Sequence, residues 1–325
     1  MSARQVLLYF AWSRAAESSA RLTAIDDRFP AIFELRRLFY PKFEDLADPL
    51  QVDQGITGFL DHVQKPNFAA FVEQASAQSS RPVVQVERVA DDGRVTPLDA
   101  ALIADVDTIL VISFDSLATG QAASPAEITA VRQFLAHPGH LLAVCPHHDI
   151  GSSTEPTEMA TRARRIAEHL HHGDRAIPPR QAFGGFARSL LAGLGVPVEN
   201  RFGLRPAVEA NGNPAAIECD RFRDRWGLLN GVTTFNAHPH LPQLERVGAS
   251  IGRLDVLVRQ RIDLDAPPHP FTQSGRQTFD ALLQSRPELF PGTLLVGDTT
   301  LWSSTAGGHE SLQKLWSNIL RRHRE

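Results

Sequence analysis

The chain has 325 residues, of which 42% are hydrophobic and 22% charged, enough apolar content for one large domain or two ordinary ones with a full core. A formal net charge of −4 argues against general affinity for nucleic acid, and no apolar run reaches the roughly 20 residues of a membrane helix. Two cysteines, Cys145 and Cys219, are too few for a disulfide scaffold and fit the reduced thiols of a cytoplasmic protein.

Val6 to Trp12 reads as a buried first strand rather than a signal-peptide core. Residues 13–65 read as an insertion or lid, with an amphipathic helix over 28–40 stopped by Pro41. With Trp12, Arg14, Phe39 and Tyr40 it would either lie over a site and exclude water or pack plainly on the surface. Asn67 to Gln78 reads as a helix with asparagine at its cap. Val83 to Val89 alternates as a strand does. Pro97 to Ala104 is a short helix and Thr108 to Ser113 a continuous apolar strand. Ser124-Pro125-Ala126-Glu127 is a strong helix start, a capping serine with glutamate three residues on, and that helix runs to about Ala136. Leu141 to Cys145 is the next strand. Strand, helix, strand, helix, strand is the pattern of a parallel sheet. Helices over Thr157–His172 and Pro179–Leu194 fall in a second insertion, 152–230. Strands follow at Gly231–Phe235 and Arg253–Val258, then a proline-rich loop through 266–270, a helix over Thr272–Gln284, a strand at Thr293–Gly297 and a closing helix from Gly308 to His323. The fold class expected is α/β, a three-layer sandwich around a mainly parallel central sheet.

Two clusters of reactive side chains follow strand-like runs. The strand ending at Cys145 continues into Pro146, His147, His148 and Asp149. The run Gly231–Phe235 continues into Asn236, Ala237, His238, Pro239 and His240. Open α/β sheets bind ligands off the carboxyl ends of their strands, so neighbouring strands would place both clusters in one pocket. Cys145 is either a small buried hydrophobe or a thiolate activated by imidazole. In the second case it is the nucleophile, His238 its base and Asp149 a further catalytic group. His148, Asp149, His238 and His240 alternatively form a donor set for zinc or iron, with a metal-bound water as nucleophile. A third reading leaves these groups as loop residues satisfied by backbone. His147, with Asp115 and Ser116 after the 108–113 strand, stands at the rim where substrate would bind; for Asp115 and Ser116 a capped turn is the alternative. His169, His171, His172 and Asp174 fit a helix end, as does the Arg321–Arg324 cluster, and His137 and His140 fit a turn. Gly184 and Gly185 allow close backbone approach. No nucleotide-binding motif is present.

The segment Cys145 to Gly151 resembles the nucleophile segment of class I glutamine amidotransferase domains. Phe235-Asn-Ala-His238-Pro239-His240 resembles the same family's second signature, an apolar run ending in His-Pro-Glu. Leu294 to Ser303, followed by a helix, resembles the last strand of amidotransferase-like domains of the trehalose-utilisation type. The resemblance spans residues 81–151 and 228–320, with Val6–Trp12 as first strand. It implies a single flavodoxin-like domain over 1–325 carrying the two insertions. Pro146 removes the backbone N–H that the family uses in its oxyanion hole, and His240 stands where glutamate is expected. A functional glutaminase is therefore not implied. The function expected is a small-molecule hydrolase, of a C–N bond or similar, cysteine-dependent or metal-dependent. It would have no nucleic-acid or membrane partner, with a homo-oligomer left open. The alternative is a non-catalytic ligand-binding or scaffold domain with a degenerate site.

Overall fold

Strand β1 (Val6–Ser13) is buried along its whole length, and its alternation organises the molecule. Val6, Leu8, Phe10 and Trp12 enter one hydrophobic core, whereas Leu7, Tyr9 and Ala11 enter another. A strand sends successive side chains to opposite faces, so apolar residues at every position require cover on both sides. The computed structural model describes residues 5–15, 65–79, 81–115, 120–150, 181–238, 241–265, 270–304 and 306–322, with the side chains of all but 148–150, 181, 182 and 270.

The remaining sheet strands are β2 (Val84–Val89), β3 (Thr108–Ser113), β4 (Leu141–Pro146), β5 (Glu218–Cys219), β6 (Leu254–Arg261), β7 (Thr278–Ser285) and β8 (Thr293–Gly297). They form one eight-stranded sheet in the order β2-β1-β3-β4-β8-β7-β6-β5. The first five are parallel, and β7, β6 and β5 add antiparallel strands beyond β8. The helices are α1 (Ala69–Gln78), α2 (Ala100–Ile103), α3 (Pro125–Leu135), α4 (Gly185–Gly193), α5 (Pro270–Gln273) and α6 (His309–Arg321). Phe71 of α1 and Trp316 of α6 share a core with Phe10 and Leu295; Phe134 of α3 and Leu190 of α4 share the opposite core with Tyr9 and Val296. Each such fully buried side chain contributes roughly 1.5–3 kcal/mol. Among the described residues no helix is long and apolar enough to cross a membrane.

Ser124 caps α3 in the expected capping box with Glu127. That glutamate also pairs with Arg88 of β2, whose guanidinium lies 4.4 Å from the Phe186 ring of α4. One buried ion pair thus joins a strand and two helices, with the Tyr9 hydroxyl accepting from Arg88 at 3.1 Å. At the other end of the molecule Arg322 is buried. It donates to the carbonyls of Ile319, Asp107 and Gly139, fastening the end of α6 to the amino edge of the sheet.

Four expected secondary-structure assignments are corrected. The run 231–235 is not a sheet strand: Gly231 has φ of +71°, and the Thr233 and Thr234 amides bond the Ser311 hydroxyl at 2.9 and 3.0 Å instead of a ladder. The helix over 272–284 is α5 followed by β7, because Gly275 turns at φ +80° and the apolar residues beyond it lie between β6 and β8. The helix over 179–194 divides into a short strand, Gln181–Phe183, antiparallel to His148–Ile150, and α4. Asn67 does not cap its helix; α1 begins after Phe68 without a side-chain cap. Residues 181–230, expected within an insertion, supply α4 and β5 to the main body. The expected helices over 28–40 and 157–172, with Phe39, Tyr40, His169, His171, His172 and Asp174, lie outside the described residues.

Candidate functional site at the carboxyl edge of the parallel strands

β3, β4 and β8 are adjacent and parallel, so the residues after Ser113, Pro146 and Gly297 share one edge. The ladder between β3 and β4 continues past Pro146, with the His147 amide donating to the Ser113 carbonyl at 3.0 Å. This places the His147 ring at the edge rather than in the core, its side chain 23% exposed. The ring meets Phe114 edge-on at 5.0 Å between centroids, and Phe114 in turn lies 6.2 Å from Trp12 at the end of β1.

Asp298 begins the turn after β8. Its Oδ1 accepts from the Thr300 amide at 2.9 Å and the Thr300 hydroxyl at 2.6 Å, as a cap of the 3₁₀ turn Thr299–Trp302. Its Oδ2 is buried without a hydrogen bond and lies 3.6 Å from His147 Nδ1. That exceeds hydrogen-bond length, so the attraction is Coulombic; such contacts are often long before substrate binds. Burial pushes the Asp298 carboxyl up, but His147 and the two Thr300 donors outweigh it and hold the group below its ordinary value. Thr299 Oγ1 sits 3.2 Å from the same imidazole nitrogen.

The second cluster reaches this edge through a buried relay. Asn236 donates to Thr300 Oγ1 at 2.9 Å and accepts from the His238 amide at 3.0 Å. Gln260 of β6 donates to the Asn236 carbonyl at 2.9 Å. The Ala237 amide donates to the Ala306 carbonyl at 2.8 Å. Ala306, Gly307 and Gly308 all have positive φ, and a Cβ on Gly308 would stand 2.4 Å from the Phe235 carbonyl oxygen. The left-handed bend therefore needs glycine at that position. The outcome is a His147–His238 pair, 6.5 Å between ring centroids and 76° between planes.

The expected nucleophile is placed otherwise. Cys145 is fully buried among the core side chains beneath the edge. Burial drives its thiol well above the ordinary value; the Trp302 indole opposes this, and the Asp298 carboxylate adds to it. A thiolate there would face desolvation and a like charge, which favours the buried small hydrophobe of the two readings of Cys145 over the thiolate with His238 as base. The histidine beside the carboxylate is His147.

Asp115, expected at the substrate rim, is 2% exposed. It accepts from the Ser113 hydroxyl through Oδ1 and from the Phe186 amide through Oδ2 at 2.8 Å. Asp115 thus supports the first turn of α4, an arrangement of the capped-turn kind that is the alternative reading for this residue. A Cβ on Gly184 would stand 2.1 Å from the Asp115 carbonyl oxygen, which explains why glycine precedes this helix. For Asp149 and for the proposed ligand His148, backbone position alone is described, in the short strand beside Gln181–Phe183. Ser116 and His240 lie outside the described residues. Among the described residues no group of three His, Cys, Asp or Glu could hold a metal.

Two groups at this edge escaped the sequence reading. Asp298 stands where a buried strand gives way to Asp-Thr-Thr, an acidic cap at a carboxyl end, which was the available signal. Glu87 of β2 receives Arg14 through Nε at 2.6 Å and through Nη2 at 2.7 Å, Trp12 Nε1 at 3.0 Å, and Lys65. Partial burial raises its carboxyl, and these donors overcome that and hold it at about 2.

No family model matches this chain, and no curated protein matches it. Among solved structures, an exo-β-1,4-mannosidase from Opitutaceae bacterium strain TAV5 aligns with 11% identity and a TM-score of 0.34 over 98% of this chain and 35% of that one. The chain spans about a third of that protein's length, and a likeness this remote carries no argument about function.

Proposed function

We propose that this chain is a small-molecule hydrolase or related enzyme in which His147 moves the proton and Asp298 orients it, on a class I amidotransferase-like scaffold without glutaminase activity. The observation that carries this reading is the buried, ionised Asp298 directed at Nδ1 of a partly exposed imidazole. A carboxylate there favours the tautomer with hydrogen on Nδ1 and leaves the lone pair on Nε2. In this scheme Nε2 takes a proton from a water as its oxygen attacks the substrate carbon, then returns it to the departing nitrogen or oxygen. His238 stands across the gap as a hydrogen-bonding group for charge that develops on the substrate. The scaffold is supported by the order β2-β1-β3-β4-β8 of the parallel strands, which follows the flavodoxin-like order, and by a site off their carboxyl ends.

The test is hydrolysis of a panel of activated small esters, anilides and amides. Wild-type turnover above buffer is expected, with a loss of about 10²–10⁴-fold in His147→Ala and little change in Cys145→Ala. A His147→Ala protein with wild-type rates, or a dead but folded Cys145→Ala protein, would overturn the assignment. Absence of turnover across the panel would favour a ligand-binding scaffold.

A further inference from the structure

The link between α3 and β4 stands at the amino edge of the parallel strands, the end of the sheet opposite His147. Its sequence is His137-Pro138-Gly139-His140. Proline at the first central position, with glycine at positive φ in the second, is the pattern of a type II turn. Gly139 has φ of +77°, and the His140 amide donates to the His137 carbonyl at 3.2 Å. Such a turn brings its first and fourth residues side by side. The two imidazoles lie 5.0 Å apart between centroids, with 38° between planes.

The turn is held from behind. Arg322 donates to the Gly139 carbonyl at 2.9 Å, and the Thr293 amide donates to the His140 carbonyl at 2.9 Å. A Cβ on Gly292 would stand 2.9 Å from the His137 carbonyl oxygen, so neighbouring backbone packs directly on the turn. His137 is exposed and His140 half-buried, the latter against the Phe134 ring at 4.4 Å. His140 Nδ1 lies 3.0 Å from the Phe134 carbonyl oxygen. A carbonyl only accepts, so Nδ1 carries the hydrogen and the neutral ring keeps its lone pair on Nε2. Metal-ligating histidines are oriented in this way, one ring nitrogen donating to a backbone carbonyl. Burial pushes the His140 imidazole below its ordinary value, against the pull of the Phe134 carbonyl, so the ring is neutral at neutral pH. The carbonyl end of α3, an eleven-residue helix, adds partial negative charge at the same place.

We infer that His137 and His140 chelate one divalent transition-metal ion of the zinc or nickel class, with water in its remaining positions. Zinc stands about 2.0–2.1 Å from an imidazole nitrogen, so two rings on one tetrahedral ion have centroids about 5 Å apart, which is the separation found here. Imidazole donors suit these ions rather than magnesium or calcium, which take oxygen ligands. Neither histidine belongs to the His147 network, so this site and the proton transfer there stand or fall separately.

The experiment is calorimetric titration of the untagged full chain, stripped of metal with EDTA, with zinc chloride at neutral pH. The wild type should bind one equivalent of zinc that a His137→Ala/His140→Ala variant does not, whatever other zinc both proteins take up. His137→Ala and His140→Ala should each weaken that equivalent at least 10-fold, His147→Ala should leave it unchanged, and magnesium should not compete for it. In ¹⁵N–¹H spectra zinc should shift His140 Nε2 and leave the Nδ1 hydrogen in place. Urea denaturation establishes that each variant is folded, and His137→Gln/His140→Gln serves if the alanine pair is not. Equal stoichiometry and affinity in the wild type and a folded double variant would overturn the inference. So would loss on replacing one histidine but not the other, which would mean a single imidazole rather than a chelate.

Discussion

Two aspartates follow buried parallel strands at the same edge of the sheet, and they are used in opposite ways. Asp115, after β3, gives one oxygen to Ser113 and the other to the first turn of α4. Asp298, after β8, gives one oxygen to Thr300 and directs the other at an imidazole. Position at a carboxyl edge is therefore not enough to leave a carboxylate oxygen for a neighbouring imidazole. What matters is whether local backbone and hydroxyl donors use both oxygens. A helix that starts nearby consumes the carboxylate after β3; a single 3₁₀ turn leaves half of the one after β8.

The comparison can be broken most strongly at His147. His147→Ala should lower turnover about 10²–10⁴-fold and also lower stability measurably, because it leaves the buried Asp298 carboxylate without its imidazole neighbour. Steady-state rates alongside urea denaturation read the two quantities separately. Next is the glycine that admits the Asp115 loop. Gly184→Ala places a Cβ 2.1 Å from a backbone oxygen and should cost about 3 kcal/mol in urea denaturation, with turnover per folded molecule near wild type. Asp115→Ala should be milder, about 2 kcal/mol, for a lost helix cap and a deserted Ser113 hydroxyl, and turnover per folded molecule should stay near wild type. A catalytic collapse in Asp115→Ala without unfolding would erase the distinction between the two loops.

Acid should sharpen it further. The folded protein holds the Asp298 carboxyl below its ordinary value. Its ionised form therefore stabilises the fold at any pH above the unfolded value of about 3.9, and the stabilisation fades as pH falls from there through the folded value. The difference in unfolding free energy between wild type and Asp298→Asn should be level from pH 5 to 7 and shrink below about pH 4. A difference that grows on acidification would contradict an ionised Asp298.

Much of the parallel half was legible because its strands are continuous apolar runs closed by punctuation. Thr108–Ser113 and Thr293–Gly297 have the expected bounds, and Ser124 starts α3 as a capping box should. β7 was not legible, since Thr278-Phe-Asp-Ala-Leu-Leu-Gln-Ser is as compatible with one face of a helix as with a buried strand. The run at 231–235 misled for a different reason: its amides are satisfied by Ser311, a hydroxyl some eighty residues away that local pattern cannot reveal. The two histidine clusters were visible and do approach one another, but through His147 and His238. Pro146 does not turn the chain into an elbow; it lets the ladder run one residue further, leaving Cys145 inside and His147 at the edge. Asp298 was passed over because the segment was read for its strand and not for the cap that ends it.

The central claim concerns the proton on His147, and it can be read without a substrate. Two-dimensional ¹⁵N–¹H spectra of histidine-labelled protein at alkaline pH, with His147 assigned through His147→Gln, distinguish the two neutral tautomers. The carboxylate at Asp298 predicts hydrogen on Nδ1 and a bare Nε2, and Asp298→Asn should weaken that preference. Hydrogen on Nε2 in the wild type, with Thr299 donating to a bare Nδ1, would leave Nε2 unable to accept a proton and would contradict the account.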